Sequence, residues 1–263
     1  MLKTTKSYLN IGYHDLYYEA TGNGLPIIFA HGLGGNYLSW WQQIPYFSQN
    51  YSCISFSHQG YFRSKKIPNR VDPSEFANDL SALIDHLKLE KVILVGQSMG
   101  GWTVINYALQ NPARVTAIIM ASTVGPLTHP KIEPLLENYL KVKKTDALKN
   151  IHLAAGIRMA KEQPSLHFLY QEIDSLNTGV NKDELRSLLL ASRNVPLEKF
   201  TKLHIPTLFL TGVEDVIVNP KAVSVLSSLI PNSKFLSVRK TGHSVYFERA
   251  QLFNSMVKSF LRK

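Results

Sequence analysis

Cysteine is nearly missing from this sequence: one residue, Cys53, stands in a chain of 263. One thiol excludes an intramolecular disulfide and any multi-cysteine metal site. It falls in "YSCISFS", a strand-like run, and is read as a small buried core residue. No apolar run approaches ~18 residues, which argues against a membrane span. The first twenty residues, "MLKTTKSYLNIGYHDLYYEA", hold two early lysines with no apolar segment behind them, so no secretory signal is expected. These absences point to a cytoplasmic location. No internal repeat or low-complexity tract stands out. Acidic residues are also scarce, with 19 Asp+Glu against 29 Lys+Arg, giving a formal net charge of +10 at pH 7. Such an excess can serve nucleic acid, an anionic membrane or an acidic protein. The basic residues are scattered, however, with short clusters in "RSKK" (Arg63 to Lys66) and "KVKK" (Lys141 to Lys144). No helix-turn-helix, zinc-finger or RNP-like pattern accompanies them. A solvated basic surface is the stronger reading, and nucleic acid is not expected as a partner.

What is present is the composition of an ordinary globular protein, 44% hydrophobic and 18% charged. The length suits one large α/β domain, or a core with a modest insertion. "YHDLYYEA" alternates like an early edge hairpin strand. "PIIFAHG", "YSCISFS", "KVILVG", "VTAIIMAS", "TLFLTG" and "SKFLSV" read as strands, and most are near-continuous apolar runs, as strands covered on both faces should be. Helical patterns lie between them. In "PSEFANDLSALIDHLKL", Phe76, Leu80, Leu83, Ile84 and Leu87 fall at helical spacing, with Asp72 or Ser74 as the expected cap. This alternation predicts an α/β fold with a mostly parallel central sheet and helices on both faces. The rhythm breaks at residues 125–196, which show no clear strand and several amphipathic stretches. The expected organisation is a core of residues 1–124 and 197–263 with a helical cap inserted at 125–196, closed by a helix in "RAQLFNSMVKSFLRK".

The stretch "VILVGQSMGGW", Val92 to Trp102, runs from a buried strand into a glycine-rich turn with one serine. Glycine-x-serine-x-glycine between strand and helix places the serine on a tight, strained turn that lifts its hydroxyl above the sheet edge. Gly96 and Gly100 leave room for neighbouring backbone. Ser98 is thus a candidate nucleophile, with the N–H of Met99 facing the place where negative charge would develop. A serine needs a base and a group to orient that base. His243, in "RKTGHSVYFERA", follows the last strand and suits the order serine, acid, histidine. Asp215, in "TLFLTGVEDVIV", is the acid, with Glu214 as competitor. The other acid position, after "IIMASTVGP", holds no carboxylate. The loop "HGLGGN" after the first parallel strand offers the N–H of Leu33 as a second oxyanion donor.

Four segments, "HGLGGNYLSW", "GQSMGGW", "LTGVEDVIV" and "TGHSVYFE", occur in order and at domain-scale spacing. Together they make the chain resemble an α/β-hydrolase-fold serine hydrolase, esterase-like and capped, over nearly its whole length. The resemblance implies Ser98, Asp215 and His243 as a catalytic triad, a helical cap over an acyl pocket, and no metal or organic cofactor. A serine at the elbow argues against haloalkane dehalogenases. One segment departs from the family: "SHQGYFRS" carries Ser57 for an aspartate and Phe62 for a glycine, which bears on loop geometry rather than on the triad. Trp102, one helical turn beyond Ser98, and Trp40 are candidates for the substrate pocket, with a core role open for both and for Trp41. "SRNVP", around Arg193 and Asn194, faintly resembles carbon–carbon bond hydrolases. The expected activity is hydrolysis of a small or medium carboxylic ester through an acyl-enzyme. The alternatives are a carbon–carbon hydrolase or cofactor-free perhydrolase on the same triad, an esterase for a methyl ester on an acidic carrier protein, and a non-catalytic small-molecule receptor. Oligomeric state is not legible.

Overall fold

The computed structural model describes residues 3–64, 71–137 and 151–262. Eight strands form one sheet in the order β1-β2-β4-β3-β5-β6-β9-β10. Their bounds are β1 Thr4–Asn10, β2 Asp15–Thr21, β3 Pro26–Ala30, β4 Ser52–Phe56, β5 Val92–Gln97, β6 Val115–Ala121, β9 Thr207–Gly212 and β10 Ser233–Val238. From β4 to β10 every pairing is parallel, while β1–β2 and β2–β4 are antiparallel. β3 is flanked by β4 on one side and β5 on the other, so the chain reverses its direction of travel across the sheet there. Ligands of open α/β sheets bind outside the carboxyl ends of strands at such a point. The continuous apolar runs divide by the strand period of two. Ile28, Ala30, Val92 and Leu94 face one apolar layer, with α2 (Phe76–His86) and α3 (Gly100–Gln110). Ile27, Phe29, Ile93 and Val95 face the other, with α1 (Ile44–Phe47) and α11 (Ala250–Leu261). Cys53 is fully buried in that second layer.

Three local expectations need correction. "YHDLYYEA" contains β2, but β2 is not at the edge. The edge is β1, whose residues alternate only weakly because both its faces are largely exposed. α2 buries Phe76, Leu80, Leu83 and Ile84, yet neither Asp72 nor Ser74 caps it. Glu75 is the N-cap without a side-chain bond, and Asp72 Oδ1 instead accepts from the N–H and hydroxyl of Ser74 at 3.0 and 2.7 Å. Finally, the segment between β6 and β9 does contain strand. β7 (Leu127–Thr128) pairs in parallel with β8 (Val195–Pro196) at the two ends of that segment.

Between them lie α4 (Glu133–Glu137), α5 (Gly156–Glu162), α6 (Pro164–Ser175) and α7 (Lys182–Ala191). α8 (Leu197–Thr201) follows, α9 (Pro220–Ser228) separates β9 from β10, and α10 (Val245–Glu248) precedes α11. The Arg193 guanidinium ion-pairs with Glu133 and reaches the Leu127 carbonyl at 3.4 Å, so it ties the ends of the insertion together. The amphipathic pattern beyond Glu137, the cluster at Lys141 to Lys144, and Lys65 and Lys66 lie outside the described residues. Among the described residues, no helix is long and apolar enough to cross a membrane.

Candidate active site

The turn after β5 is built as the glycines require. Ser98 takes a left-handed φ of +49°, a conformation costing a non-glycine residue about 1–3 kcal/mol. Backbone bonds on both sides hold it: its N–H donates to the Ala121 carbonyl (3.0 Å) and its carbonyl accepts from Gly101 (2.9 Å). A Cβ at Gly96 would stand 2.6 Å from the Gly100 carbonyl oxygen, and one at Gly100 would stand 2.2 Å from that of Ala30. No other residue lets α3 start so close to β3.

The loop after β3 is packed against this turn. A Cβ on Gly32 would lie 3.1 Å from Ser98 Cβ. The N–H groups of Leu33 and Met99 donate to no protein acceptor among the described residues. Tyr61 joins their two segments. Its hydroxyl donates to the Leu33 carbonyl at 3.1 Å and lies 3.4 Å from Met99 Sδ, on a fully buried ring. Tyr61 belongs to "SHQGYFRS", whose departures leave the loop well bonded. Ser57 Oγ accepts from the Tyr37 N–H (3.2 Å), and Ser64 Oγ donates to the Ser57 carbonyl (2.7 Å).

At the far side of the carboxyl edge, Asp215 and His243 meet. Asp215 Oδ2 is 2.8 Å from His243 Nδ1, and both side chains are buried. Asp215 Oδ1 accepts from the N–H groups of Ile217 (2.8 Å) and Val218 (3.0 Å). A carboxylate held this way presents an acceptor to Nδ1, so the imidazole carries its proton there and leaves Nε2 free to accept. Glu214, the competing acid, points elsewhere and is gripped by Arg158 of α5 at 2.8–3.1 Å. Among the described residues, no hydrogen bond joins Ser98 Oγ to His243; the serine sits on its own turn, half-buried.

A further carboxylate, Glu248 of α10, was not singled out from the sequence. Its two oxygens accept from the N–H groups of Gly242 (2.9 Å) and Ser244 (3.2 Å), the residues on either side of His243. Burial raises its pKa from the usual 4.5 to about 7, against the opposing effect of those two donors. Its signal lies in the spacing: "GHSVYFE" puts it about one helical turn past the histidine, where a side chain can fold back on the loop.

The segment between β7 and β8 reaches the site's loops and the elbow helix. Ser244 Oγ donates to Tyr170 Oη of α6 at 3.2 Å. Gly34 abuts Asp174 of α6 and His152. Trp102 Nε1 donates to the Leu189 carbonyl of α7 at 3.2 Å. Leu33, Met99, Tyr61 and Trp102 share an apolar cluster with Leu185 and Leu189. Trp102 therefore stands between the elbow helix and the insertion. Trp40 is fully buried in the core, packed on Phe29 and Tyr246, which is the core role left open for it. Trp41 is 44% exposed and lies edge-on to Phe247. A cavity of about 150 Å3 opens beside Gly242, lined also by Gly156, Ile157, Arg158, Glu214 and Val216.

A parallel sheet with a serine elbow, a buried acid–histidine pair and a glycine loop along one edge defines a hydrolase of the α/β class. The sequence profile of the alpha/beta hydrolase fold matches residues 26–250, and the chain belongs to that family. It is 28% identical over 258 residues to the AB hydrolase superfamily protein YisY of Bacillus subtilis, covering 93% of this chain and 94% of that one. It is 23% identical to the pimeloyl-[acyl-carrier protein] methyl ester esterase of Legionella pneumophila, covering 94% of this chain and all of that one. A thermophilic esterase from Thermogutta terrifontis has the same fold, with a TM-score of 0.79 at 22% identity over 98% of both chains.

Proposed function

We propose that this hydrolase cleaves a carboxylic ester of small or medium acyl chain through an acyl-enzyme on Ser98. The carrying observation is the buried Asp215–His243 pair at 2.8 Å, on the strand edge that also bears the strained Ser98. His243 Nε2 takes the serine proton as Oγ attacks the ester carbonyl, and Asp215 stabilises the imidazolium that forms. The N–H groups of Leu33 and Met99 receive the oxyanion, a role supported by their lack of other acceptors among the described residues. The alcohol leaves with the proton, and water repeats the sequence on the acyl-enzyme. Residues 125–196 act as a cap over a core of 1–124 and 197–263, with Trp102 on the acyl pocket. Arg193 favours no carbon–carbon hydrolase reading, since its guanidinium is committed to Glu133.

A second reading has an observation of its own. A methyl ester on an acidic carrier protein would suit the +10 charge and the likeness to a carrier-protein methyl ester esterase.

The test is a p-nitrophenyl ester series of graded acyl length, with Ser98→Ala and a serine-directed phosphonate. Steady turnover, its loss in Ser98→Ala with unchanged Tm, and labelling of Ser98 alone are expected. A single slow turnover with retained product would mark a receptor instead.

A further inference from the structure

Beneath the loop after β3 lies a polar chain that the proposed chemistry does not use. His31, His58 and Thr103 are all buried, at 0%, 1% and 1% exposure. His31 Nδ1 is 2.8 Å from the carbonyl oxygen of Gly32. A carbonyl only accepts, so Nδ1 carries the proton and Nε2 is an acceptor. That nitrogen receives the backbone N–H of His58 at 3.0 Å. It also faces His58 Nδ1 at 3.0 Å. Two bare ring nitrogens would repel at that distance, so His58 Nδ1 is protonated as well. His58 Nε2 is then left to accept from the Thr103 hydroxyl, 2.8 Å away. Every donor points the same way, from Thr103 through the two rings to Gly32.

We propose that Thr103, His58 and His31 form a brace that sets the plane of the Gly32–Leu33 peptide and so aims the Leu33 N–H at the developing oxyanion. The inference rests on the reading of Leu33 as an oxyanion donor. The carbonyl of Gly32 and the N–H of Leu33 belong to one planar peptide group and point in opposite directions. The Gly32 oxygen also accepts from the Gly35 N–H at 2.9 Å, so the imidazole is the second of two anchors, and together they fix the direction of the N–H. Thr103 is on α3, in the first turn after Ser98 and Met99, so the brace ties one donor loop to the helix that carries the nucleophile and the other donor. Preorganised donors stabilise an oxyanion without reorganising during the reaction, which is why their aim matters. Burial lowers the pKa of His31 to about 3, and burial with the neighbouring His31 lowers that of His58, so both rings stay neutral where esters are hydrolysed. These are positioning residues, since none touches the reacting atoms. Burying two imidazoles with all bonds satisfied, where apolar side chains would pack, is what a specified geometry requires.

The experiment compares His31→Phe, His31→Asn and Thr103→Val on a p-nitrophenyl ester. Asparagine keeps an N–H that can reach the Gly32 carbonyl, and valine keeps the shape of threonine without its hydroxyl. We expect kcat to fall about 30-fold in His31→Phe, less than the loss of a whole donor, with KM within about two-fold. Affinity for a phenylboronic acid, whose tetrahedral adduct puts an oxygen in the hole, should fall by the same factor. His31→Asn should recover most of both losses. Thr103→Val should fold normally and show about a three-fold drop in both kcat and boronate affinity with KM unchanged, which keeps the test decisive if His31→Phe fails to fold. Unchanged kcat and boronate affinity in Thr103→Val and His31→Asn together with unchanged values in any folded His31→Phe would overturn the brace. So would equal loss in the Asn and Phe variants. Ser98→Ala run alongside separates the levels: turnover surviving there overturns the site reading and the brace with it. Turnover lost in Ser98→Ala but undiminished in the brace variants overturns the brace alone.

Discussion

Two adjacent carboxylates at the end of β9 have opposite environments, and that difference supports the proposed role of Asp215. Asp215 is fully buried against His243, whereas Glu214 is exposed and ion-paired to Arg158. Asp215→Asn would offer Nδ1 a donor instead of an acceptor and force the wrong tautomer, lowering kcat about 10,000-fold. Glu214→Gln exchanges one exposed ion pair and should change kcat less than about two-fold. Steady-state kinetics on both variants checks this, and reversed phenotypes would move the acid to Glu214. Glu248 gives a different signal. Its folded pKa of about 7 lies above its usual 4.5, so the folded protein holds a proton that the unfolded chain has released. The stability tied to that proton is fully present below 4.5 and is lost as pH rises through about 7. The loss amounts to about 3 kcal/mol. Urea unfolding at pH 5 and pH 8.5 should show this decline in the native protein relative to Glu248→Gln; no decline would mean the carboxylate is better solvated than its burial implies. The strained turn at Ser98 and the pairing of Asp215 with His243 were legible because each residue sits in a strand-to-loop junction. Tyr61 and Glu248 were not. Tyr61 matters only through contacts with Leu33 and Met99, far from it in sequence. Glu248 folds back onto a loop that sequence alone does not draw.

Strands β3 and β5 and helix α3 form the rigid frame of the site, and they meet where side chains are absent. A Cβ on Gly100 would sit 2.2 Å from the Ala30 carbonyl oxygen, with backbone atoms on that side rather than a side chain that could swing away. Gly100→Ala must therefore push α3 off β3, costing about 1–3 kcal/mol or more as overpacking does. For a chain of this size that lowers Tm by roughly 4–10 °C. Activity should fall further than stability, because the same shift moves Met99 and Ser98. Calorimetry with kinetics at a temperature where the variant is folded tests this, and native Tm would show the contact to be soft. The inner parallel strands were legible from their apolar runs, since burial on both faces leaves no polar alternation, whereas β10 at the edge is mostly half-buried or exposed. β1 was not, because an edge strand exposed on both faces carries little hydrophobic pattern. Nor were β7 and β8, whose two residues each are too few to show a period. Their pairing, 68 residues apart at Leu127 and Val195, belongs to the tertiary fold.

At the scale of the whole molecule, the formal charge is +10, and among the described residues the exposed lysines are spread over many elements. Exposed lysines appear on β1 (Lys6), beside β5 (Lys88, Lys91), before α4 (Lys131), on α5 (Lys161), on α8 (Lys199), on α9 (Lys221) and on β10 (Lys234). The arginines near the insertion are paired: Arg158 with Glu162 and Glu214, Arg193 with Glu133, and Arg249 with Glu162. Excess charge spread in this way keeps molecules apart in solution but gives little orienting torque on an approaching partner. Steering needs a focused patch, and exposed charges are screened beyond about 8–10 Å near physiological salt. We therefore expect kcat/KM for a small neutral ester to change less than about two-fold between low and high salt, since no charge on the substrate feels the field. The same flat response is expected for an ester carried on an acidic protein if the charge only solvates the surface. Measuring both substrates across a sodium chloride series tests the two readings of function at once. A steep fall confined to the carrier-linked ester would show that the folded surface gathers its charge where the carrier docks, and would make the carrier-bound ester the favoured substrate.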